Sequence, residues 1–334
     1  MSSLEEQLSQ IIQPSTPLKR YSIQGNTDGS PKRYRPSTAK TPPSTPIFTI
    51  ESPLKGALAG LITSPFSWND YQLVEVLGRG AFGVVYGLKR ISDGKPFALK
   101  LVSPEEEEAA RIEASILADL ANRCSSLIRY YQIVYASDPS NVNSTDLRPG
   151  ILMEWVQGPN LREEIKNKRL PNMQQFMNTT RQLLEQLACV HSAEIVHRDI
   201  KPENIVYDVK TQQTKLVDFG IGCTTGDQLA SVPYCLIEPI GTSAYLAPEL
   251  ARNRRDTLDS SAASPASDIW ALGATLYEWL FGQRATLSFF RSGVEKEILK
   301  IQSKVYVPDF LKQMLDTDPG KRPTAQRLLL EFSQ

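Results

Sequence analysis

The stretch IVHRDIKPENIVYD, residues 195–208, sets Asp199, Lys201 and Asn204 within six residues, between apolar flanks. A carboxylate, an ammonium and a carboxamide at such intervals can take a proton, offset a growing negative charge and ligate a hard cation. A further carboxylate, Asp218, comes directly after a short apolar strand in KLVDFGIG, residues 215–222. Asn204 and Asp218 are oxygen ligands suited to Mg²⁺ held on phosphates. That leaves Asp199 to accept the proton of an attacking hydroxyl and Lys201 to neutralise charge on a transferred phosphoryl group. The crowding fits phosphoryl transfer, which depends on positioning and electrostatics gathered at one point.

LGRGAFGVVYG, residues 77–87, places Gly78, Gly80 and Gly83 between two strand-like runs. Glycines that join strand to strand argue against a dinucleotide-binding turn or a Walker loop, both of which lead from strand into helix. Two readings stay open for the motif alone: a glycine-rich hairpin turn, or a β-flap whose free N–H groups approach phosphate while Val85 faces a flat base. Lys100 interrupts the apolar strand FALKLV. Ala109, Ile116, Leu117 and Leu120 surround Glu113 at helical spacing, which sets that carboxylate inside an apolar stripe. A buried carboxylate needs a partner, and Lys100 is the economical one.

Hydrophobic periodicity supplies the elements that must position these groups. It predicts strands over 71–78, 83–90, 96–102, 128–136 and 150–156, with Ser92-Asp93-Gly94 as a hairpin turn. A helix is predicted over 105–121, its acidic start at Glu105–Glu108 placed against the positive end of the dipole. Further helices are predicted over 160–168, 173–192, 268–282, 294–302, 308–315 and 324–332. Strands first and helices afterwards imply an α+β chain of two lobes, 66–156 mainly β and 157–334 mainly α.

Residues 1–65 are different material: 26 of them are Ser, Thr or Pro. Such a tail cannot bury enough apolar area to offset its ordering entropy, so it is expected to be mostly disordered, with short helices around 4–12 and 54–62. Thr16, Ser30, Thr41, Thr45, Ser52 and Ser64 each precede proline. They are either targets of a proline-directed kinase or incidental products of a Ser/Pro-rich linker. The basic pairs Lys19-Arg20 and Lys32-Arg33 read as solvated charge or as a nuclear address. Lys+Arg and Asp+Glu both number 37. Zero net charge gives no reason to expect nucleic acid or membrane as the main partner. The start of the chain lacks the pattern of a secretory signal. Four scattered cysteines, Cys124, Cys189, Cys223 and Cys235, read as free thiols in a reducing compartment. A cytoplasmic or nuclear location follows.

Taken in order, the motifs over residues 71–332 resemble a eukaryotic-type protein kinase catalytic domain of the Ser/Thr class. The resemblance implies a small antiparallel β-sheet lobe with one main helix above a larger helical lobe. It implies ATP and Mg²⁺ as cofactors and protein substrates as partners, with the chain expected to act as a monomer. The implied nucleotide-binding set is Leu77, Gly78, Arg79, Gly80, Ala81, Phe82, Gly83, Val84, Val85, Ala98, Lys100, Glu113, Glu154 and Val156. Met153 in ILMEWV resembles the gatekeeper, with the backbone of Glu154 and Val156 facing adenine. His197-Arg198-Asp199 and Asn204 resemble the catalytic loop, and Asp218-Phe219-Gly220 the magnesium loop. Ala247-Pro248-Glu249 resembles the end of the activation segment, Arg322 the arginine that pairs with Glu249, and Asp268 the aspartate that braces the catalytic loop. Lys201 and Thr242 of GTSAYLAPE match the Ser/Thr class. Where many relatives carry a phosphothreonine, this chain has Glu238; either Glu238 supplies a fixed negative charge near Arg198, or the loop register differs and it is merely solvated. The stretches 136–149 and 251–267 are longer than the family core needs, as partner docking sites or as surface padding.

Overall fold

The structure, a computed structural model of the 334-residue chain, describes residues 66–80, 83–142, 144–226, 232–235, 240–252, 262–284 and 308–332. The tail with its two expected helices, the expected helix over 294–302, Ala81, Phe82 and Glu238 lie outside the described residues.

The first lobe is an antiparallel sheet of β1 (Tyr71–Gly80), β2 (Gly83–Arg90), β3 (Pro96–Leu101), β4 (Tyr130–Ala136) and β5 (Arg148–Glu154), in the order β1-β2-β3-β5-β4. Alternation sorts its side chains between two faces. One face closes on Trp68, Tyr86, Leu88, Phe97 and Leu99. The other packs on α1 (Glu107–Arg123), whose buried stripe is Ala110, Glu113, Ala114, Ile116, Leu117 and Leu120. The expected turn is present: Gly94 takes φ +70°, and Arg90 pairs with Asp93 across it. The loop between β4 and β5 folds back on the sheet, with Trp68 Nε1 donating to the Ser137 carbonyl at 3.1 Å and Arg148 meeting Asp138 at 3.2 Å.

The second lobe contains α2 (Leu161–Lys166), α3 (Met173–Ser192), β6 (Ile195–Val196), β7 (Ile205–Asp208), β8 (Gln213–Leu216), β9 (Cys223–Thr224), α4 (Pro248–Arg252), α5 (Pro265–Phe281), α6 (Asp309–Met314) and α7 (Ala325–Glu331). β6 pairs with β9 and β7 with β8. α5 starts at a capping box formed by Ser264 and Ser267, with Pro265 in the first turn, and stops at Gly282 in the left-handed conformation. Every residue from Ser267 to Trp279 is buried. A helix buried all round is a core element, and α5 is the post on which the lobe is built. One apolar core runs from Ile133 and Ile151 in the sheet, through α1 and Phe219, to α3 and α5.

Arg322 lies under this post. Its guanidinium donates to both Glu249 oxygens at 2.7 and 2.8 Å and to the carbonyls of Asp316 and Ala266, and it stacks 5.0 Å from the Trp270 ring. The side chain is fully buried. Removing one member of a buried pair strands the other, so Arg322→Ala is expected to lower unfolding free energy by about 3–5 kcal/mol. Arg322→Lys recovers only part of this, because an ammonium cannot form the planar double contact. Urea unfolding measures both; a loss under about 1 kcal/mol for the alanine variant would contradict the assignment.

The cysteines correct the reading of free thiols. Cys124 is bonded to Cys189 and Cys223 to Cys235, so no cysteine is free. The first pair is 65 residues apart in sequence, and only the packing of α1 against the second lobe brings it together. The cysteines therefore give no support to a reducing compartment.

Candidate active site

Lys100, on β3, is the hub of the cleft between the lobes. Its Nζ lies 2.7 Å from Glu113 Oε2 on α1 and 2.7 Å from Asp218 Oδ1 beyond β8. Burial pulls Lys100 toward neutrality, but the two carboxylates overcome it and hold the ammonium protonated well above the usual lysine range. Burial pushes the Glu113 carboxyl up, against the pull of Lys100. Asp218 is held below the usual aspartate range: burial opposes this, and Lys100 at 2.7 Å prevails. Gly220 lets the chain pass close to the triad, since a Cβ there would stand 3.2 Å from Asp218 and 3.4 Å from Lys100 and Glu113.

The catalytic-loop residues are gathered by Asp268 of α5. Its carboxylate accepts from the backbone N–H of His197 at 2.8 Å and of Arg198 at 3.0 Å, and it lies 3.0 Å from His191 Nε2. Arg198 is thereby held at φ +69°, and Asp218 sits at φ +67°. Left-handed backbone at a residue with a Cβ costs about 1–2 kcal/mol; of the residues that adopt it, Arg198 directly precedes Asp199 and Asp218 lines the cleft itself. Asp199 then meets Lys201 Nζ at 2.5 Å through Oδ2 and accepts from the Thr242 hydroxyl at 2.7 Å through Oδ1. Asn204 Nδ2 donates to the Asp199 carbonyl at 2.9 Å and to Oδ2 at 3.2 Å, which leaves its own Oδ1 as a ligand.

His197 is fully buried against Phe219, with ring centroids 4.5 Å apart. Nε2 is 3.2 Å from the Val217 carbonyl, and Nδ1 accepts from the Asp199 N–H at 3.2 Å. One ring nitrogen donates and the other accepts, as in a neutral imidazole. Burial accordingly lowers its pKa below the usual histidine range. The unfolded chain therefore binds a proton more readily than the folded one. Stability from this residue is present above about pH 6.5 and falls as pH drops from there through the lowered folded value. Melting temperature is expected to decline from pH 7 to 5.5 in the wild type and less steeply in His197→Phe; equal slopes would sink this account.

The cleft has a volume of about 1050 Å³ and is lined by Leu77, Gly78, Val85, Ala98, Met153, Val156 and Val206 together with Lys100, Glu113, Lys201, Asn204 and Asp218. Apolar strips above and below, with charges at the inner end, suit a flat base carrying phosphates. Asn204 and Asp218 offer one amide and one carboxylate oxygen, a donor set that fits Mg²⁺. Among the described residues no group of three or more His, Cys, Asp or Glu could hold a metal, so phosphate and water oxygens would have to complete the shell.

A sequence model described as the protein kinase domain matches residues 71–331. The chain belongs to this family. Among similar kinases, a probable serine/threonine-protein kinase of Dictyostelium discoideum is 30% identical over 269 residues, covering 78% of this chain and 50% of the relative. Serine/threonine-protein kinase Nek8 of Danio rerio is 30% identical over 276 residues, 78% of this chain and 36% of the relative. Calcium/calmodulin-dependent protein kinase type IV of Rattus norvegicus is 27% identical over 311 residues, 87% of this chain and 60% of the relative. The chain thus spans about half the length of the first of these.

In this kinase domain the expected residues mostly converge. Leu77, Gly78, Arg79, Gly80, Gly83, Val85, Ala98, Glu154 and Val156 all line the cleft. Val84 does not: two-residue alternation turns its side chain to the opposite face, beside the cluster containing Leu99 and Leu101. The Glu154 backbone, expected to face adenine, spends its N–H on the Arg129 carbonyl at 2.8 Å, so its carbonyl is the group that could meet a base. Thr242, expected as a mark of substrate class, is bonded directly to Asp199 and Lys201. The sequence reading missed Val206 as a floor for the base, although the apolar IVY after Asn204 signalled it. It also missed Arg162, buried between Glu278 at 2.6 Å, Glu203 at 2.8 Å and the Tyr245 hydroxyl, which ties α2 to α5 and the catalytic loop.

Proposed function

We propose that the chain is a serine/threonine protein kinase that transfers the γ-phosphoryl group of ATP to Ser or Thr hydroxyls of protein substrates. The supporting observation is the contact set of Asp199, Lys201 and Thr242 next to the triad of Lys100, Glu113 and Asp218. When bound, ATP supplies the phosphoryl group and Mg²⁺ offsets the charge of its phosphates. Asn204 Oδ1 and Asp218 would hold the metal, and Lys100, kept protonated by its two carboxylates, would orient the phosphates. Asp199 accepts the proton of the incoming hydroxyl at a carboxylate oxygen. Lys201 counters negative charge beside it. Thr242, bonded to both, fixes the Asp199 rotamer.

Among the described residues no helix is long and apolar enough to cross a membrane. The chain is proposed to act as a monomer in the cytoplasm or nucleus, with the proline-directed positions of the tail as targets of other kinases.

The test is incubation of the full chain with labelled ATP, Mg²⁺ and a generic basic protein, beside Asp199→Ala, followed by phosphoamino acid analysis. Label on Ser and Thr that the variant fails to transfer is the expected result. Equally little label from both proteins would overturn the reading.

A further inference from the structure

The Cys124–Cys189 bond joins the two lobes. Cys124 caps the C-terminal end of α1, its N–H bonded to the Leu120 carbonyl at 2.7 Å, whereas Cys189 belongs to α3 of the second lobe. Their Cα atoms are 5.9 Å apart. Among the described residues the polypeptide itself crosses between the lobes once, after β5, near Glu154 to Gly158. Two covalent links define an axis, and they leave rotation about that axis as the main freedom of one lobe against the other. The same turn is held without covalency by buried Lys215 of β8, whose Nζ donates to the carbonyls of Ser126 at 2.8 Å and Leu127 at 3.0 Å. The C-terminal end of α1 is thus anchored to the second lobe, and the helix carries Glu113 about 16 Å from that anchor.

Once the bridge is broken only the Lys215 bonds hold this turn, and a tilt of α1 by about 10° on that softer anchor moves Glu113 by about 3 Å at this lever length. That displacement is enough to open its 2.7 Å contact with Lys100. We propose that the Cys124–Cys189 bond is a reducible modification site that sets α1 and Glu113, with the bridged form competent and the dithiol form less active. Cys124 is buried and Cys189 is half-buried, so a dithiol reductant reaches the bond from the Cys189 side. Its thiolate attacks the Cys189 sulfur, the Sγ–Sγ bond breaks, and Cys124 leaves as a thiolate. The reductant's second thiol then displaces Cys189 from the mixed disulfide. Two electrons pass from the reductant, which becomes a disulfide, and two protons end on Cys124 and Cys189. In a reducing compartment a bridge of this kind is transient and reports the ambient thiol poise. Lys215 keeps its two bonds after reduction, so the lobes stay associated and the response is graded.

The activity arm of the test rests on the kinase reading, whereas the amide-exchange arm does not. Full-length protein is compared air-oxidised and after dithiothreitol, with peptide mapping to follow the bond. Reduction is expected to lower kcat by about 5- to 10-fold, a usual size for coupling between sites, and to speed amide exchange over 107–123. Cys124→Ser/Cys189→Ser shows the lower rate and the faster exchange in both conditions. Cys223→Ser/Cys235→Ser still responds to reductant in exchange over 107–123. Absence of a 124–189 cross-link in oxidised protein, or its cleavage without change in exchange over 107–123, overturns the proposal. Faster exchange in a protein that never transfers phosphate supports the site and counts against the kinase reading instead.

Discussion

Asp199→Asn is expected to lower kcat for phosphoryl transfer by about 10²–10⁴-fold, the range for removal of a positioned general base. The amide keeps the shape of the carboxylate and can still accept from Thr242 Oγ1, now 2.7 Å from Oδ1. What it loses is the ability to take a proton from the incoming hydroxyl. Lys201 cannot substitute, because an ammonium has no lone pair to accept with. Lys201 loses its 2.5 Å ion pair but is partly exposed and can turn to water. The melting temperature and the KM for ATP should therefore stay close to wild type while kcat collapses. Steady-state kinetics with ATP and a peptide separate the two constants. A variant retaining more than about a tenth of wild-type kcat would remove Asp199 from the chemistry.

Lys100→Met has the second large effect, and it reaches stability as well as activity. Lys100 is the shared cation of Glu113 and Asp218, and the Glu113 side chain is only 3% exposed. Without it, Glu113 is an unpaired charge in the core, at a cost of about 3–5 kcal/mol while it stays ionised. Asp218, at 38% exposed, is relieved by water. Burial already raises the Glu113 pKa, and loss of the Lys100 pull raises it further. An acid whose folded pKa lies above its unfolded value binds its proton better when folded. Its penalty is absent below about pH 4.5 and grows as pH rises toward the folded value. Asp218 adds to the same trend in the wild type: its lowered pKa contributes stability above the usual aspartate value, lost as pH falls. The gap in melting temperature between wild type and Lys100→Met should widen from pH 4.5 to 7. Lys100→Met/Glu113→Gln should close most of that gap and remain inactive. A pH-independent gap, or rescue of activity by the second change, would contradict the buried-triad account.

The parts of this site that were legible in the sequence are those where a local pattern conflicts with burial. Glu113 stood out because Ile116, Leu117 and Leu120 flank it on one helical face, and the structure buries it there beside Lys100. Arg322 and Glu249 were legible only through the family resemblance, as their pairing spans 73 residues. The Arg162 network and the Cys124–Cys189 bridge left no local trace, since each joins positions that only tertiary packing brings together. Of the β7–β8 hairpin only the short apolar strand before Asp218 was legible, and the pairing was missed for a different reason. Its turn has no Gly, Pro or Asn; Asp208 Oδ1 accepts from the N–H groups of Lys210 and Thr211, and Gln212 takes φ +59°. Val84 shows the limit of carrying a motif over as a block, because neighbouring strand residues face opposite sides of the sheet.

The central claim is that Lys100, Glu113, Asp199, Asn204 and Asp218 surround the triphosphate of one nucleotide and its metal. Crystals of the full chain grown with Mn²⁺ and a non-hydrolysable ATP analogue test it most directly, because the anomalous signal locates the ion independently of the protein. The account predicts the ion between Asn204 Oδ1 and the Asp218 carboxylate, the Lys100 ammonium on the phosphates and the terminal phosphate facing Asp199. An ion held elsewhere, or a nucleotide bound outside the cleft between the lobes, would contradict it.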